Sequence, residues 1–232
     1  MREALVLIPG LLQTEDFWRE QVARLSDVAQ CILPTSHFRM DSFTDMARLI
    51  LAEAPDRFAL CGLSMGGYVA QEIMRQAPQR VTRICLMDTS SRADTPEQIE
   101  RRRALINLGK IGNFKGVTPR LLPLLLHADN QANKPIVDRL MEMAAEIGSD
   151  GFTNQQTAII NRPDGRPDLK TYKLPALVLC GRQDALTPLE LHDEMASLIP
   201  NAVQVVIDHC GHLPPMEQPD QTAAALREWL AA

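Results

Sequence analysis

Six short apolar runs recur along the chain: "ALVLI" (4–8), "QCIL" (30–33), "RFALC" (57–61), "RICLM" (83–87), "ALVLC" (176–180) and "AVQVVI" (202–207). Gly, Pro or Asp bounds each of them. A strand with one wet face alternates apolar and polar residues; runs this continuous need cover on both faces, which parallel strands flanked by helices receive. Helical periodicity fills the intervals at about 15–27, 43–53, 65–77, 188–199 and 217–230, so the pattern predicts a doubly wound α/β sheet. A chain of 232 residues suits one such domain carrying an insertion.

The alternation stops between Asp88 and Lys173, where "TPEQIERRRALINLG", "TPRLLPLLLHA" and "IVDRLMEMAAEIG" have helical periods and no strand pattern stands out. Thr95 and Gln98 read as a capping box with Pro96 at the first helical position. Pro163, Asp164, Gly165 and Pro167 have the turn chemistry of a hinge back to the sheet. The expected organisation is a core of residues 1–91 and 171–232 with a helical cap over 92–170.

Gly62-Leu63-Ser64-Met65-Gly66 fits G-x-S-x-G between a strand pattern and a helix pattern, the context in which the serine sits on a strained turn with its hydroxyl above the sheet. Chance accounts for only about 0.02 such matches in a chain of this glycine and serine content. A close-packed turn would explain the glycines alone, so the partners decide. A serine hydroxyl needs a base, and the base needs a carboxylate to hold its tautomer.

The loop after the last strand, "VVIDHCGHLPPMEQP", offers His212, in loop chemistry that can project over the strand ends, and His209, nearer the strand. His37, His127 and His192 read as surface or packing residues. "HCGH" is short of ligands for a metal site. Asp184 stands just past a strand end, before a helix announced by Thr187, Pro188 and Glu190 in capping positions; Asp88, after the preceding strand, is a rival acid, and Asp208 reads as solvated. Ser64, Asp184 and His212 then follow the Ser…Asp…His order. The backbone N–H groups of Met65 and Leu11 are the expected donors to an oxyanion.

Composition narrows the partner. Hydrophobic residues make up 45% and charged residues 23%, ordinary globular values. A net charge of −5 and a pI near 5.6 argue against nucleic-acid or anionic-membrane surfaces. No stretch approaches the ~18 apolar residues of a membrane span. The start, "MREALVLIPGLL", is broken by Pro9 and Gly10 and reads as a strand rather than a leader. Five widely spaced cysteines read as free thiols of a reducing, cytoplasmic protein. The expected partner is a small molecule, with no cofactor and no metal.

"LVLIPGLLQTEDFW", "LCGLSMGGYVAQEI", "PALVLCGRQDALTP" and "DHCGHLPPMEQPD" together resemble the oxyanion loop, nucleophile elbow, acid loop and histidine loop of the α/β-hydrolase superfamily, across nearly the whole chain. "GLSMGG" and the compact cap resemble its lactonase and carboxylesterase branch, which includes 3-oxoadipate enol-lactonases. The likeness begins at the family's third strand, which implies six strands, and Pro9 stands where members often carry histidine. It implies a serine hydrolase of small or medium carboxylic esters, thioesters or lactones, working through an acyl-enzyme. Enol-lactone or C–C bond hydrolysis would use the same residues, and a ligand sensor that keeps the triad is the alternative of another class. In the cap, Leu121, Leu125, Met141 and Met143 are expected to line an apolar pocket, and Arg162 is the cation that could meet a substrate carboxylate.

Overall fold

The computed structural model describes residues 2–109 and 114–232. Strands β1 (Glu3–Ile8), β2 (Ala29–Ile32), β3 (Phe58–Leu63), β4 (Val81–Met87), β5 (Ala176–Gly181) and β6 (Val203–Ile207) form one sheet. Its order is β2-β1-β3-β4-β5-β6, and all neighbours are parallel. The α/β sheet of six strands is therefore the architecture the apolar runs implied.

Period-two alternation sorts each strand between two cores. Leu5, Leu7, Cys61, Leu63, Cys85, Met87, Leu177 and Leu179 pack on one face with Phe17, Trp18, Leu226 and Trp229. Val6, Ile8, Leu60, Ile84, Leu86 and Val178 pack on the other with Met46, Ile50, Val69, Ile73 and Met195. Full burial of such a side chain is worth about 1.5–3 kcal/mol, so a polar residue inside these runs would be costly on either face.

The helices that cover the sheet follow the sequence periods. A 3-10 turn (Glu15–Trp18) leads into α1 (Arg19–Leu25), and α2 (Phe43–Glu53) starts at Ser42, whose side chain accepts from the Asp45 N–H. α3 (Met65–Gln76) follows β3 directly. Between β4 and β5 lie α4 (Pro96–Leu108), α5 (Leu122–Leu125), α6 (Lys134–Ile160) and α7 (Arg166–Leu169), and the described residues there include no strand. The Thr95–Gln98 capping box forms, with Pro96 at the start of α4. α8 (Leu189–Leu198), α9 (Pro214–Glu217) and α10 (Pro219–Ala231) complete the chain.

One helix runs further than its sequence period. "IVDRLMEMAAEIG" suggests an end at Gly148, yet α6 continues to Ile160 through a kink where Gly148 adopts φ 69°. Glycine takes that left-handed conformation without a Cβ penalty, so the break in the pattern marks a bend rather than a terminus. Among the described residues no helix is long and apolar enough to cross a membrane. All five cysteines are free, four of them buried.

The strand order fixes where a site can form. The chain moves outward from β1 to β2, then returns past β1 to β3, so the loops after β1 and β3 diverge at the carboxyl ends of neighbouring strands. A crevice opens at such a switch point. Leu11 follows the first of these strands and Ser64 the second.

Candidate active site

Ser64 joins β3 to α3 with φ 54° and ψ −117°, a left-handed conformation that costs a non-glycine residue about 1 kcal/mol or more. The surroundings hold it there. Its N–H donates to the Met87 carbonyl (2.9 Å), and its own carbonyl accepts from the Gly67 N–H (2.9 Å) and the Thr89 hydroxyl (2.7 Å). The flanking glycines are forced by close approach: a Cβ on Gly62 would lie 2.2 Å from the Gly66 carbonyl oxygen, and one on Gly66 2.2 Å from that of Ile8.

The loop after β6 brings His212 to this serine, with Nε2 2.8 Å from Ser64 Oγ and Nδ1 2.8 Å from Asp184 Oδ2. Asp184 is an acceptor at Nδ1, so the proton belongs on that nitrogen and Nε2 is left to accept from the hydroxyl. His212 also donates its backbone N–H to the Leu125 carbonyl (3.0 Å). Asp184 Oδ1 accepts from the N–H groups of Leu186 (2.8 Å) and Thr187 (3.1 Å), and Oδ2 from the Thr187 hydroxyl (2.5 Å). Burial alone would push this carboxyl up, but His212 and the Thr187 donors hold it well below the usual carboxylate range.

The rivals are placed elsewhere. His209 is exposed and turns toward Asp129, at 3.8 Å. Asp208 pairs with Arg182 at the surface. Asp88 is fully buried, and its Oδ1 accepts the Gly181 N–H at 2.9 Å rather than meeting His212. "HCGH" divides between two neighbourhoods: both ring nitrogens of His212 are taken by Ser64 and Asp184, while His209 groups with His127 and Asp129.

The loop after β1 lies against the serine: a Cβ on Gly10 would come 3.2 Å from Ser64 Cβ. Gly10 donates its N–H to Gln13 Oε1 (2.7 Å), and Leu12, at φ 60°, donates to Gln155 Oε1 (3.0 Å). The N–H groups of Leu11 and Met65, between and beside these, meet no protein acceptor among the described residues. The Met65 N–H also lies at the start of α3, where the helix dipole favours negative charge.

The residues expected to line the pocket fare differently. Leu125 joins the site through its carbonyl. Met143 is core, buried with Leu122, Leu126 and Leu140; Met141 is half-buried, and Leu121 is exposed. Arg162, expected to meet a substrate carboxylate, is engaged within the protein. Its side chain is 7% exposed and ion-paired at 2.8 Å with buried Asp94; it lies 4.3 Å from the Tyr68 ring and donates to the carbonyls of Arg92 and Ile159. Asp94 also pairs with Arg102, at 2.5 Å, so the two guanidiniums share one buried carboxylate.

Four residues that the sequence did not assign to the site support it. Glu217, on α9, accepts at Oε1 from the N–H groups of Gly211 (2.9 Å) and Leu213 (3.3 Å), which flank His212. Its Oε2 accepts from His127 N–H (2.7 Å) and Asn130 Nδ2 (3.1 Å), before α6. Burial raises the Glu217 carboxyl while these donors oppose the rise. Thr187, which read as a helix cap, turns to Asp184 while Pro188 takes the cap position of α8 without a side-chain bond. Gln155 reaches Leu12 as above and also donates to the Phe38 carbonyl (3.1 Å). His192 accepts the Thr89 N–H at Nε2 (3.1 Å), and burial lowers its pKa to about 4, leaving it neutral.

The sequence profile of the alpha/beta hydrolase family matches residues 5–225. The pimeloyl-[acyl-carrier protein] methyl ester esterase of Nitrosomonas europaea is 27% identical, over 94% of this chain and 91% of its own. A thermophilic esterase from Thermogutta terrifontis superposes with a TM-score of 0.89 at 31% identity, covering 99% of this chain and 89% of that one. The enol-lactonase from Burkholderia xenovorans LB400 superposes equally well, at 0.89, with 22% identity and coverage of 100% and 92%.

Proposed function

Because the chain belongs to the alpha/beta hydrolase family, we propose that it is a cofactor-free serine hydrolase of small or medium carboxylic esters. Ser64 attacks the substrate carbonyl while His212 Nε2 takes its proton, and Asp184 holds the imidazole and stabilises the imidazolium that forms. The N–H groups of Leu11 and Met65 receive the oxyanion; a single donor of this kind is typically worth on the order of 10²–10³ in rate. His212 then returns the proton to the leaving alcohol. In the second half, water attacks the acyl-enzyme with His212 again as base, and Ser64 is regenerated.

The observation that carries this reading is the unbroken run of two 2.8 Å contacts from Ser64 through His212 to Asp184, set on a left-handed elbow beside two unclaimed N–H donors. In the same reading residues 92–170 are the cap that roofs Ser64.

A neutral ester is favoured over a substrate with a free carboxylate. Arg162, the cation that would have met such a carboxylate, is engaged by Asp94. The esterase relatives are 27% and 31% identical, whereas the enol-lactonase likeness, at 22%, speaks for the fold. The ratio of kcat/KM for a neutral butyrate ester to that for 3-oxoadipate enol-lactone tests this. The expected ratio is well above one; a ratio far below one makes the chain a lactonase.

A further inference from the structure

Asp88 follows β4 directly, one residue before Thr89, whose hydroxyl holds the Ser64 carbonyl, and the mechanism above gives it no task. It is fully buried at φ 41°. Its Oδ1 accepts the Gly181 N–H, and Oδ2 meets no hydrogen-bond donor among the described residues. Its carboxyl, the Asp184 carboxyl and the His212 ring each offer an atom within 4.8 Å of the others. The other titratable groups around it are the thiols of Cys85, Cys180 and Cys210, neutral His192 of α8, and Glu217 further off.

Among the described residues no Lys or Arg is among the groups acting on Asp88, and the His212 Nδ1–H is committed to Asp184. A second negative charge within 4.8 Å of a buried carboxylate is strongly disfavoured, so one of the two keeps its proton. The proton settles on the one with fewer donors. Asp184 accepts from Leu186, the Thr187 N–H, the Thr187 hydroxyl and His212, whereas Asp88 accepts from Gly181 alone.

We infer that Asp88 is a buried carboxylic acid that donates its Oδ2–H to the Asp184 carboxylate, and so acts as a positioning residue at the far end of the Ser64–His212–Asp184 run. This role rests on the triad assigned above. Burial and the Asp184 charge both raise the Asp88 carboxyl well above its usual range, against the opposing Gly181 N–H. The donated bond spreads the Asp184 charge and lowers its appetite for a second proton. When the Ser64 O–H bond breaks and the His212 Nε2–H bond forms, the proton on Nδ1 therefore stays on the ring, and Asp88 keeps its own proton throughout.

Asparagine is the informative replacement, since its oxygen can accept from Gly181 while its amide donates to Asp184. Infrared difference spectra of the full chain near neutral pH, wild type against Asp88→Asn, should show the loss of one protonated carboxylic acid carbonyl band. Loss of ionised carboxylate bands instead, or no change in the acid region, overturns the inference. In kinetics, Asp88→Ala should lower kcat on the order of tenfold or more, the size of a lost hydrogen bond to a charged group, with KM little moved. Asp88→Asn should recover most of that loss; an asparagine variant as slow as the alanine one also overturns it. The infrared arm reads the proton on Asp88 whether or not esters are turned over, so a failed substrate assignment and a failed Asp88 assignment give different results.

Discussion

Glu217→Gln should weaken both the fold and the base. The wild-type carboxylate receives four N–H donors, from Gly211, Leu213, His127 and Asn130. A hydrogen bond to a charged group is worth about 1.5–3 kcal/mol net, against about 0.5–1.5 for a neutral one. Glutamine keeps one oxygen, so one pair of donors meets a weaker acceptor and the other faces an amide NH₂ that cannot accept. Relief of the buried charge returns part of this. The net loss should be about 2–4 kcal/mol, which for a chain of this length lowers Tm by roughly 5–15 °C. Urea unfolding at constant slope measures the stability, and kcat on a butyrate ester at 25 °C, still in the folded range, measures the base. Gly211 and Leu213 flank His212, and small displacements of a reacting group are costly, so kcat should fall about tenfold. Adding Asn130→Asp should restore part of both, because the new carboxylate can accept from the Gln amide. A stability change under about 0.5 kcal/mol would refute the hydrogen-bond reasoning, and lost stability with kcat intact would refute the positioning role.

Gly66→Ala puts a Cβ 2.2 Å from the Ile8 carbonyl oxygen and 2.7 Å from that of Pro9, so it should cost more than about 3 kcal/mol; a Tm within a few degrees of the parent would contradict this. Gln155→Leu removes the acceptor for the Leu12 N–H and should lower kcat about tenfold with less effect on KM, as steady-state kinetics on a butyrate ester would show. The raised Asp88 carboxyl gives a linkage test. Above about pH 4 the unfolded Asp88 has lost its proton while the folded one keeps it, so wild-type stability should fall relative to Asp88→Asn by about 1.4 kcal/mol per pH unit until the folded carboxyl itself titrates. Urea unfolding of both proteins from pH 5 to 7 checks it, and a constant difference would refute it.

Much of the fold could be read from the chain because its strands are buried on both faces, which leaves few ways to place "RFALC" or "ALVLC". The elbow was legible for the same kind of reason: Gly62 and Gly66 occupy positions where a Cβ would meet backbone oxygen. Ser64, Asp184 and His212 lie at strand ends, and the sheet gathers them although 148 residues separate Ser64 from His212. What stayed hidden depends on distant partners. Glu217 sits in a Pro-rich "PPMEQP" and ties the nearby Gly211 and Leu213 to donors 90 and 87 residues back, and Gln155 serves Leu12 across 143. Neither has a local pattern. Thr187 and Arg162 were legible as polar residues but not in their partners, because a cap position or a turn does not specify which carboxylate the side chain will meet.

That Ser64 is the nucleophile is tested most directly by treating the full chain with a fluorophosphonate and mapping the adduct by mass spectrometry. One phosphonyl group per chain should appear on the peptide carrying Ser64, at a rate that falls at least a hundredfold, on the order expected for loss of the base, in His212→Ala, and no adduct should form in Ser64→Ala. Labelling on another residue, or none in a protein that turns over esters, would contradict it.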